Sequence, residues 1–518
     1  MPNIPVLSPD EAGAWDRGAE QAGIPLETLM ESAGRAVAAV LARRFPEALR
    51  GGVLVAAGPG NNGGDGWVAA RALHRLEVPV WVAAVPGEGS PLQRRMAERA
   101  RADGVREVTP DGPWPGVAVV VDALLGTGAR GAPRPAVAAL LERCLELAVP
   151  VLAVDGPTGI DLGTGVVHGL ARADVSVTFG GLRRGHLLAR DEVGDVVVCD
   201  IGHPRPEAGW PRLVADPMAA GWLPPFAADA HKGDRGRVVL VGGATGMSGA
   251  VRMAGRGAFG VGAGLVHAVA PDDTIATLVA AEPDLQTLAH PLDGEPSEAL
   301  RELLDRADAV VVGPGLGRAP ERRAFVEAVV GHARRAVLDA DAITVFQGAP
   351  ERLARLAEGR TLVLTPHPGE FRSLCPDLAA QRELDPWGAA RDAAGRLGGA
   401  TLLLKGVPSV VQRPGRPALT VAAGNPGLAT GGSGDLLAGF VGTLLAQGLE
   451  PDRAAALGAQ ILGRAADLAA GAATPRAMRP LDVVAALPAL WREWHLLRVE
   501  RPAPVPPVVL TLDSPLRD

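Results

Sequence analysis

Tyrosine is absent from the 518 residues, and lysine nearly so: the 51 basic residues include only Lys232 and Lys405. Asparagine occurs four times, at Asn3, Asn61, Asn62 and Asn425. Such depletion, beside abundant Ala, Gly, Arg and Pro, fits a GC-rich bacterial genome that disfavours certain codons. Under that pressure a surviving Lys or Asn is expected to be kept for its chemistry. Both lysines, and three of the four asparagines, lie in glycine-rich stretches.

Other absences narrow the class. Cys144, Cys199 and Cys375 are far apart, which excludes a zinc-ligand spacing or a disulfide framework and fits a reducing cytosol. The start, "MPNIPVLSPDEAGAW", lacks the basic and apolar regions of a signal peptide. No uninterrupted apolar run approaches membrane-spanning length. A formal charge of −7 offers neither a basic nucleic-acid surface nor a polybasic membrane anchor. The expectation is a cytoplasmic protein with small-molecule ligands and neither nucleic-acid nor membrane partners.

What is present is a core in quantity. Apolar residues make up 47% of a chain too long for one ordinary domain. Ser8 to Arg44 reads as two amphipathic helices, with Ser8 and Glu11 spaced as a capping box and Pro25 suited to the second helix's first turn. Short Val-rich runs follow at 52–58, 79–85, 117–126 and 149–159, with late strands in 171–200. Helical segments at 66–77, 90–102 and 134–148 separate them. Continuous apolar strands alternating with helices predict a parallel sheet covered on both faces. A Pro- and Gly-rich stretch at 203–236 marks a boundary. A second series of runs begins at 236–246, 264–271, 308–317, 335–344, 361–370 and 400–411, closed by helices at about 434–447 and 451–471. The expectation is two three-layer α/β/α domains, 1–218 and 219–498, and a loose Pro-rich tail at 499–518. The halves share no sequence period.

In open parallel sheets, ligands sit beyond the carboxyl ends of the strands, so the loops after these runs are the candidate sites. In the first half, "GPGNNGGDGWVAARAL" (58–73) follows a strand and opens a helix, whose free N–H groups can hold a phosphate. It is not the G-x-G-x-x-G fingerprint, so an ordinary dinucleotide site is not licensed. Asp122 and Asp155 each end a strand, and Thr158 follows. Asn62, Asp122 and Thr158 together offer oxygen ligands with one negative charge, which suits a weakly held hard cation. Asp155 is then free for proton transfer or for a ribose hydroxyl.

In the second half, "GNPGLATGGSGD" (424–435) runs into a helix starting near Gly434. Bare N–H groups there form an anion nest at the positive end of the helix dipole. Asp435 stands beside the nest, where a carboxylate would repel bound phosphate unless it had work to do. The natural role is to accept a proton from a substrate hydroxyl while the nest stabilises the phosphoryl group. Lys405 ends a strand and can reach phosphate. "TPHPGE" (365–370) fixes His367 at another strand end. "GPGLG" (313–317) and "GGATGMSGA" (242–250) complete a pocket for a large, phosphate-bearing ligand.

As a set these stretches resemble the bifunctional NAD(P)H-hydrate repair enzymes. The resemblance spans roughly residues 8 to 495. It is carried by "NNGGDG", "VDALLGTG" and "DGPTG" in the first half, and by "HKGDRGRV", "GPGLG", "LDADA", "TPHPGE", "KG" and "GNPGLATGGSGD" in the second. It implies a Rossmann-like N-terminal epimerase and a ribokinase-like C-terminal ADP-dependent dehydratase. The epimerase interconverts R and S hydrates of NADH and NADPH, which carry a hydroxyl at C6. The dehydratase phosphorylates the S hydroxyl from ADP, then loses phosphate, leaving AMP as co-product.

The resemblance also assigns residues. Asn62, Asp122 and Thr158 would bind potassium. Asn61, Asn62, Gly63, Gly64 and Asp65 would hold the hydrate, with Gly126, Thr127, Gly128, Ala129, Arg130, Gly131 and Ala132. Asp155 would be the acid/base. In the second half Ala250, Gly317, His367 and Asp435 would contact the hydrate, with Asp435 catalytic. Lys405, Gly406, Val407, Pro408, Ser409 and Gly434 would contact the nucleotide, with magnesium alongside. A homo-oligomer is expected. The chain departs from the family pattern in Gly156 and Thr158 for Ile and Ser, in Ser409 for Thr and in Arg235 for His. Two other readings stay open: a ribokinase-like small-molecule kinase, and a first half that is only a binding or scaffold module.

Overall fold

A computed structural model describes residues 4–500 and 506–516. The chain divides into two compact units between Trp210 and Pro211, earlier than the expected boundary at 218.

The N-terminal unit is built on an eight-stranded sheet. Its order is Val508–Leu512, Asp195–Cys199, Val175–Phe179, Val151–Val154, Val119–Ala123, Val53–Ala57, Val80–Ala84 and Arg106–Val108. Seven strands are parallel and the first is antiparallel to its neighbour. The central strands bury every residue, as unalternating Val-rich runs require. The strand order reverses between Val53–Ala57 and Val119–Ala123, the doubly wound pattern whose crevice receives ligands. Ser8 caps the helix Pro9–Gln21 in the expected capping box with Glu11, and Leu26–Arg44 follows.

The Pro-rich tail departs from expectation. Val508–Leu512 pairs with Asp195–Cys199 and covers an otherwise open sheet edge. Its alternating "VVLTL" is a strand signal that the surrounding prolines obscure; residues 501–505 and 517–518 lie outside the described set.

The C-terminal unit has a ten-stranded sheet. At its centre Thr401–Leu404, Thr361–Leu364, Arg335–Leu338, Ala309–Val312 and Arg237–Val241 run parallel in that spatial order. All five therefore deliver their carboxyl ends to one edge. Ser409–Gln412 and Leu419–Val421 extend the sheet antiparallel beyond Thr401–Leu404. The helix Ser433–Ala446 crosses this sheet and the helix Ser248–Gly260; Gly439 allows the approach, since a Cβ there would lie 2.0 Å from the Ala254 carbonyl oxygen. Phe440, Leu444 and Leu445 bury its apolar face, at about 1.5–3 kcal/mol for each large side chain. The chain thus holds two α/β units, each a mainly parallel sheet covered by helices. Among the described residues no helix is long and apolar enough to cross a membrane.

Candidate active sites

In the N-terminal unit the helix Asn61–Arg75 starts before residue 66, so the Asn-Gly stretch is helix and not loop. Its glycines serve contact: a Cβ on Gly63 would fall 1.9 Å from the Gly58 carbonyl oxygen. Removing those side chains lets the helix N-terminus settle onto the strand end and places Asn62 and Asp65, one turn apart, on one face.

Three neighbouring strand ends meet there. Both oxygens of Asp122, a buried residue, accept from Thr158: Oδ1 from the hydroxyl and Oδ2 from the backbone N–H, each at 2.8 Å. Leu124 N–H also donates to Oδ1. Burial raises the Asp122 pKa against these hydrogen bonds. Asn62 Oδ1 and Asp155 Oδ2 flank Gly126; a Cβ there would lie 2.9 Å from the first and 3.1 Å from the second. Glycine at 126 keeps that space clear.

Asp155 has φ +65°, a left-handed conformation uncommon for a non-glycine residue. His186 secures it. The imidazole Nδ1 accepts the Arg183 N–H, leaving Nε2 to donate to the Asp155 carbonyl at 2.5 Å. Burial pushes the His186 pKa down to about 4, so the ring is neutral. The Asp155 carboxylate meets donors on both oxygens. Thr127 gives its N–H at 2.8 Å and its hydroxyl to Oδ2. The Thr178 hydroxyl lies 3.1 Å and the Arg183 guanidinium 3.4 Å from Oδ1. Burial would raise this pKa, but Arg183 and the Thr127 hydrogen bonds outweigh it and hold the group below its ordinary value.

Asp65 contrasts with it. This half-buried carboxyl has no hydrogen bond or ion pair among the described residues. Burial, with the charges of Asp155 and Asp16, drives its pKa well above the ordinary value. Asn61 is exposed and accepts from the Ser90 hydroxyl. The loop Gly126–Ala132 leads to a cleft of about 530 Å³ lined by Ala132, Pro133, Leu141, Glu142, His168 and Leu170.

In the C-terminal unit Asp435 lies in the first turn of Ser433–Ala446. Gly432, at φ +103°, turns the chain into that helix with no side-chain cap, which leaves its amide end open. A Cβ on Gly431 would meet nothing within 4 Å; on Gly434 its nearest neighbours would be Lys405 Nζ at 3.5 Å and Asp339 Oδ2 at 3.8 Å. The Gly431 and Gly434 end of the segment thus faces open space beside a lysine, while Gly427 packs against Pro475 and Met478. Two contacts anchor its start: Asp467 accepts from Gly424 N–H and from the Asn425 side-chain amide.

Lys405 Nζ donates to Asp339 Oδ1 at 2.8 Å and lies 3.9 Å from Glu370. Burial opposes its charge, but Asp339 and Glu370 outweigh it and raise the pKa. Asp435 is pushed up to about 7, first by burial and then by Asp339, with Lys405 opposing. Its side chain has no hydrogen-bond partner among the described residues. His367 caps the helix Pro368–Leu374 through Nδ1, and its Nε2 faces Glu370 Oε1 at 3.2 Å. About half of its side chain stays exposed. Gly317 N–H donates to Asp341, whose charge acts on Asp435. Ala250 packs beside the same loop, near Gly315. Ser409 closes the 406–409 turn through Gly406, and Val407 is 74% exposed.

Comparison with known proteins decides the family. Residues 26–185 match the family described as YjeF-related protein N-terminus, and 238–489 match NAD(P)H-hydrate dehydratase. A solved ADP/ATP-dependent NAD(P)H-hydrate dehydratase from Bacillus subtilis aligns with 54% of this chain and 97% of that one, at 24% identity and a TM-score of 0.49. The bifunctional NAD(P)H-hydrate repair enzyme Nnr of Escherichia coli (strain K12) is 36% identical over 479 residues, covering 90% of both chains. The enzyme of the same name from Salinibacter ruber is 37% identical, covering 93% of this chain and 95% of that one. The chain belongs to the bifunctional NAD(P)H-hydrate repair enzymes.

Within this repair-enzyme family several chain-specific points stand out. Arg183, His186 and Thr178 hold Asp155 yet were missed in the sequence; "GLRRGH" carries no motif that singles them out. Asp339 and Asp341 sit inside the quoted "LDADA" but had no role assigned. Lys405 lies beside the open helix end, whereas Lys232 is exposed, with no ion pair among the described residues. Arg235, the departure from His, bonds the Gly262 carbonyl and stacks on Phe226, a packing role.

Proposed function

We propose that the protein repairs hydrated NADH and NADPH at two sites. The N-terminal unit epimerises the R and S hydrates at C6. The C-terminal unit dehydrates the S hydrate with ADP, releasing AMP and phosphate.

The observation that carries the dehydratase reading is Asp435. It is a carboxyl without a protein partner among the described residues, poised near neutral pH, beside a glycine-built helix N-terminus and a half-buried lysine. A base there takes the proton of the C6 hydroxyl as its oxygen attacks the terminal phosphorus of ADP, and AMP leaves. Phosphate then departs from C6 with loss of a proton from the neighbouring ring carbon, restoring the double bond. Hydroxide is a poor leaving group and phosphate a good one, which is why a kinase-type pocket serves a dehydration. Lys405 and the open amides around Gly434 bear the charge of the transferred group, and Gly406, Val407, Pro408 and Ser409 line the nucleotide side. Ala250, Gly317 and His367 bound the hydrate side. Asp339, Glu370 and Asp435 outnumber Lys405, a surplus of negative charge that suits a divalent cation. No three metal-ligating side chains converge among the described residues, so magnesium would arrive with the nucleotide phosphates.

In the epimerase unit, Asn62, Asp122 and Thr158 would hold potassium. The fit rests on oxygen atoms: Asn62 Oδ1 borders the space that Gly126 leaves clear, and Asp122 supplies one negative charge next to the Thr158 hydroxyl. Potassium would supply a fixed positive charge that orients the hydrate's oxygen atoms. Asn61, Gly63, Gly64 and Asp65 with the 126–132 loop would enclose the hydrate. The protein would act in the cytoplasm, as a homo-oligomer.

The test is incubation with mixed-epimer hydrate and ADP, following NADH absorbance. The expected result is recovery of both epimers with AMP and phosphate formed one for one. A stable phosphorylated alcohol would instead mark a kinase, and recovery of only the S half a non-catalytic first unit.

A further inference from the structure

The two aspartates of the N-terminal site differ in what the protein has done with them. Asp155 accepts from Thr127 twice on one oxygen and faces Thr178 and Arg183 on the other. Lone pairs already met by fixed donors make a weak base. His186 also pins its backbone. The arrangement fits a permanent anion. Asp65 is one helical turn from Asn62 and has no protein partner among the described residues. Burial, and then the charges of Asp155 and Asp16, favour its protonated form.

Resting on the epimerase reading above, we infer that Asp65 is the proton-transferring residue of this site, and that Asp155 is the fixed anion beside it. The Asp65 carboxyl gives its proton to the C6 hydroxyl oxygen of the hydrate. The C6–O bond breaks as the ring nitrogen's lone pair forms a C=N bond, and water departs. The ring is then cationic, and the Asp155 carboxylate stabilises it. Water adds to the opposite face of C6 and gives its surplus proton to solvent on that face, and solvent returns a proton to the Asp65 carboxylate. No electrons are exchanged with another reagent, and the enzyme ends as it began.

The experiment uses the full chain and the purified R hydrate of NADH without ADP, following the R/S ratio by chromatography. The native chain is measured first; if it leaves the R hydrate unchanged, the epimerase reading itself fails. If it epimerises, Asp65→Asn is expected to lower kcat by about 100-fold or more with KM little changed. Added formate is expected to restore turnover saturably in Asp65→Ala but not in Asp155→Ala. Dehydration of the S hydrate with ADP by the same variants reports that the chain is folded. Asp65→Asn turnover within about threefold of native, or an Asp65→Ala variant that is folded, inactive and indifferent to formate, overturns the inference.

Discussion

Asp435→Asn gives a prediction whose sign depends on the electrostatics of the open pocket alone. The folded carboxyl keeps its proton to about pH 7, against an ordinary value of 3.8. The folded state therefore binds the extra proton between these values, and stability falls as pH rises from about 4 to about 7. At full value the rise from 3.8 to about 7 is worth about 4 kcal/mol. The group is only half-buried, so solvent screening reduces this to about 1–2 kcal/mol. Asparagine stays neutral and escapes the penalty. Without nucleotide, Asp435→Asn should match the native C-terminal unit near pH 4. At pH 8 it should unfold about 2–6 °C higher. Scanning calorimetry at both pH values measures the difference. A shift of equal size at both, or a less stable variant at pH 8, would refute the reasoning.

The same substitution should abolish dehydration and leave epimerisation intact, assayed by NADH recovery and by R/S ratio; parallel loss of both would contradict two independent sites. In the native enzyme the dehydration kcat/KM should rise with pH through about 7, as Asp435 becomes the base; a rate falling across that range would exclude it. Replacing potassium by tetramethylammonium should slow epimerisation alone, and an unchanged rate would remove the ion from the account. Ending the chain at Glu500 uncovers the edge of Asp195–Cys199, so the N-terminal unit should unfold earlier and self-associate more readily, which light scattering during heating detects.

Much of the fold was legible because parallel sheets write themselves as Val-rich runs, and those from 52–58 to 400–411 each gave a strand. The candidate site was legible where a residue type was costly to keep. Lys405 lies beside Gly434 and Asp339, Asn62 lies beside Gly126, and Asp435 stands where its charge is opposed by burial. The start of the Asn61 helix was obscured because glycine weakens helices, yet here the absent side chains are what admit the helix to the strand end. The strand in the tail was hidden by prolines around a five-residue alternation. Asn425 survived for local structure, capping the turn at Gly427 and meeting Asp467. The clamp on Asp155 was unreadable, because Arg183 and His186 reach it through folding and not through spacing. The acid cluster around Lys405 was half readable: Asp339 ends a strand like Asp122 and Asp155, but nothing in sequence says it will pair with the lysine.

The central claim is that a phosphoryl group is moved onto the hydrate's own hydroxyl before that oxygen leaves. Labelling the C6 hydroxyl with heavy oxygen and allowing one turnover with ADP tests it directly. The account predicts the label in the released phosphate, by mass spectrometry; label appearing in water instead would contradict it.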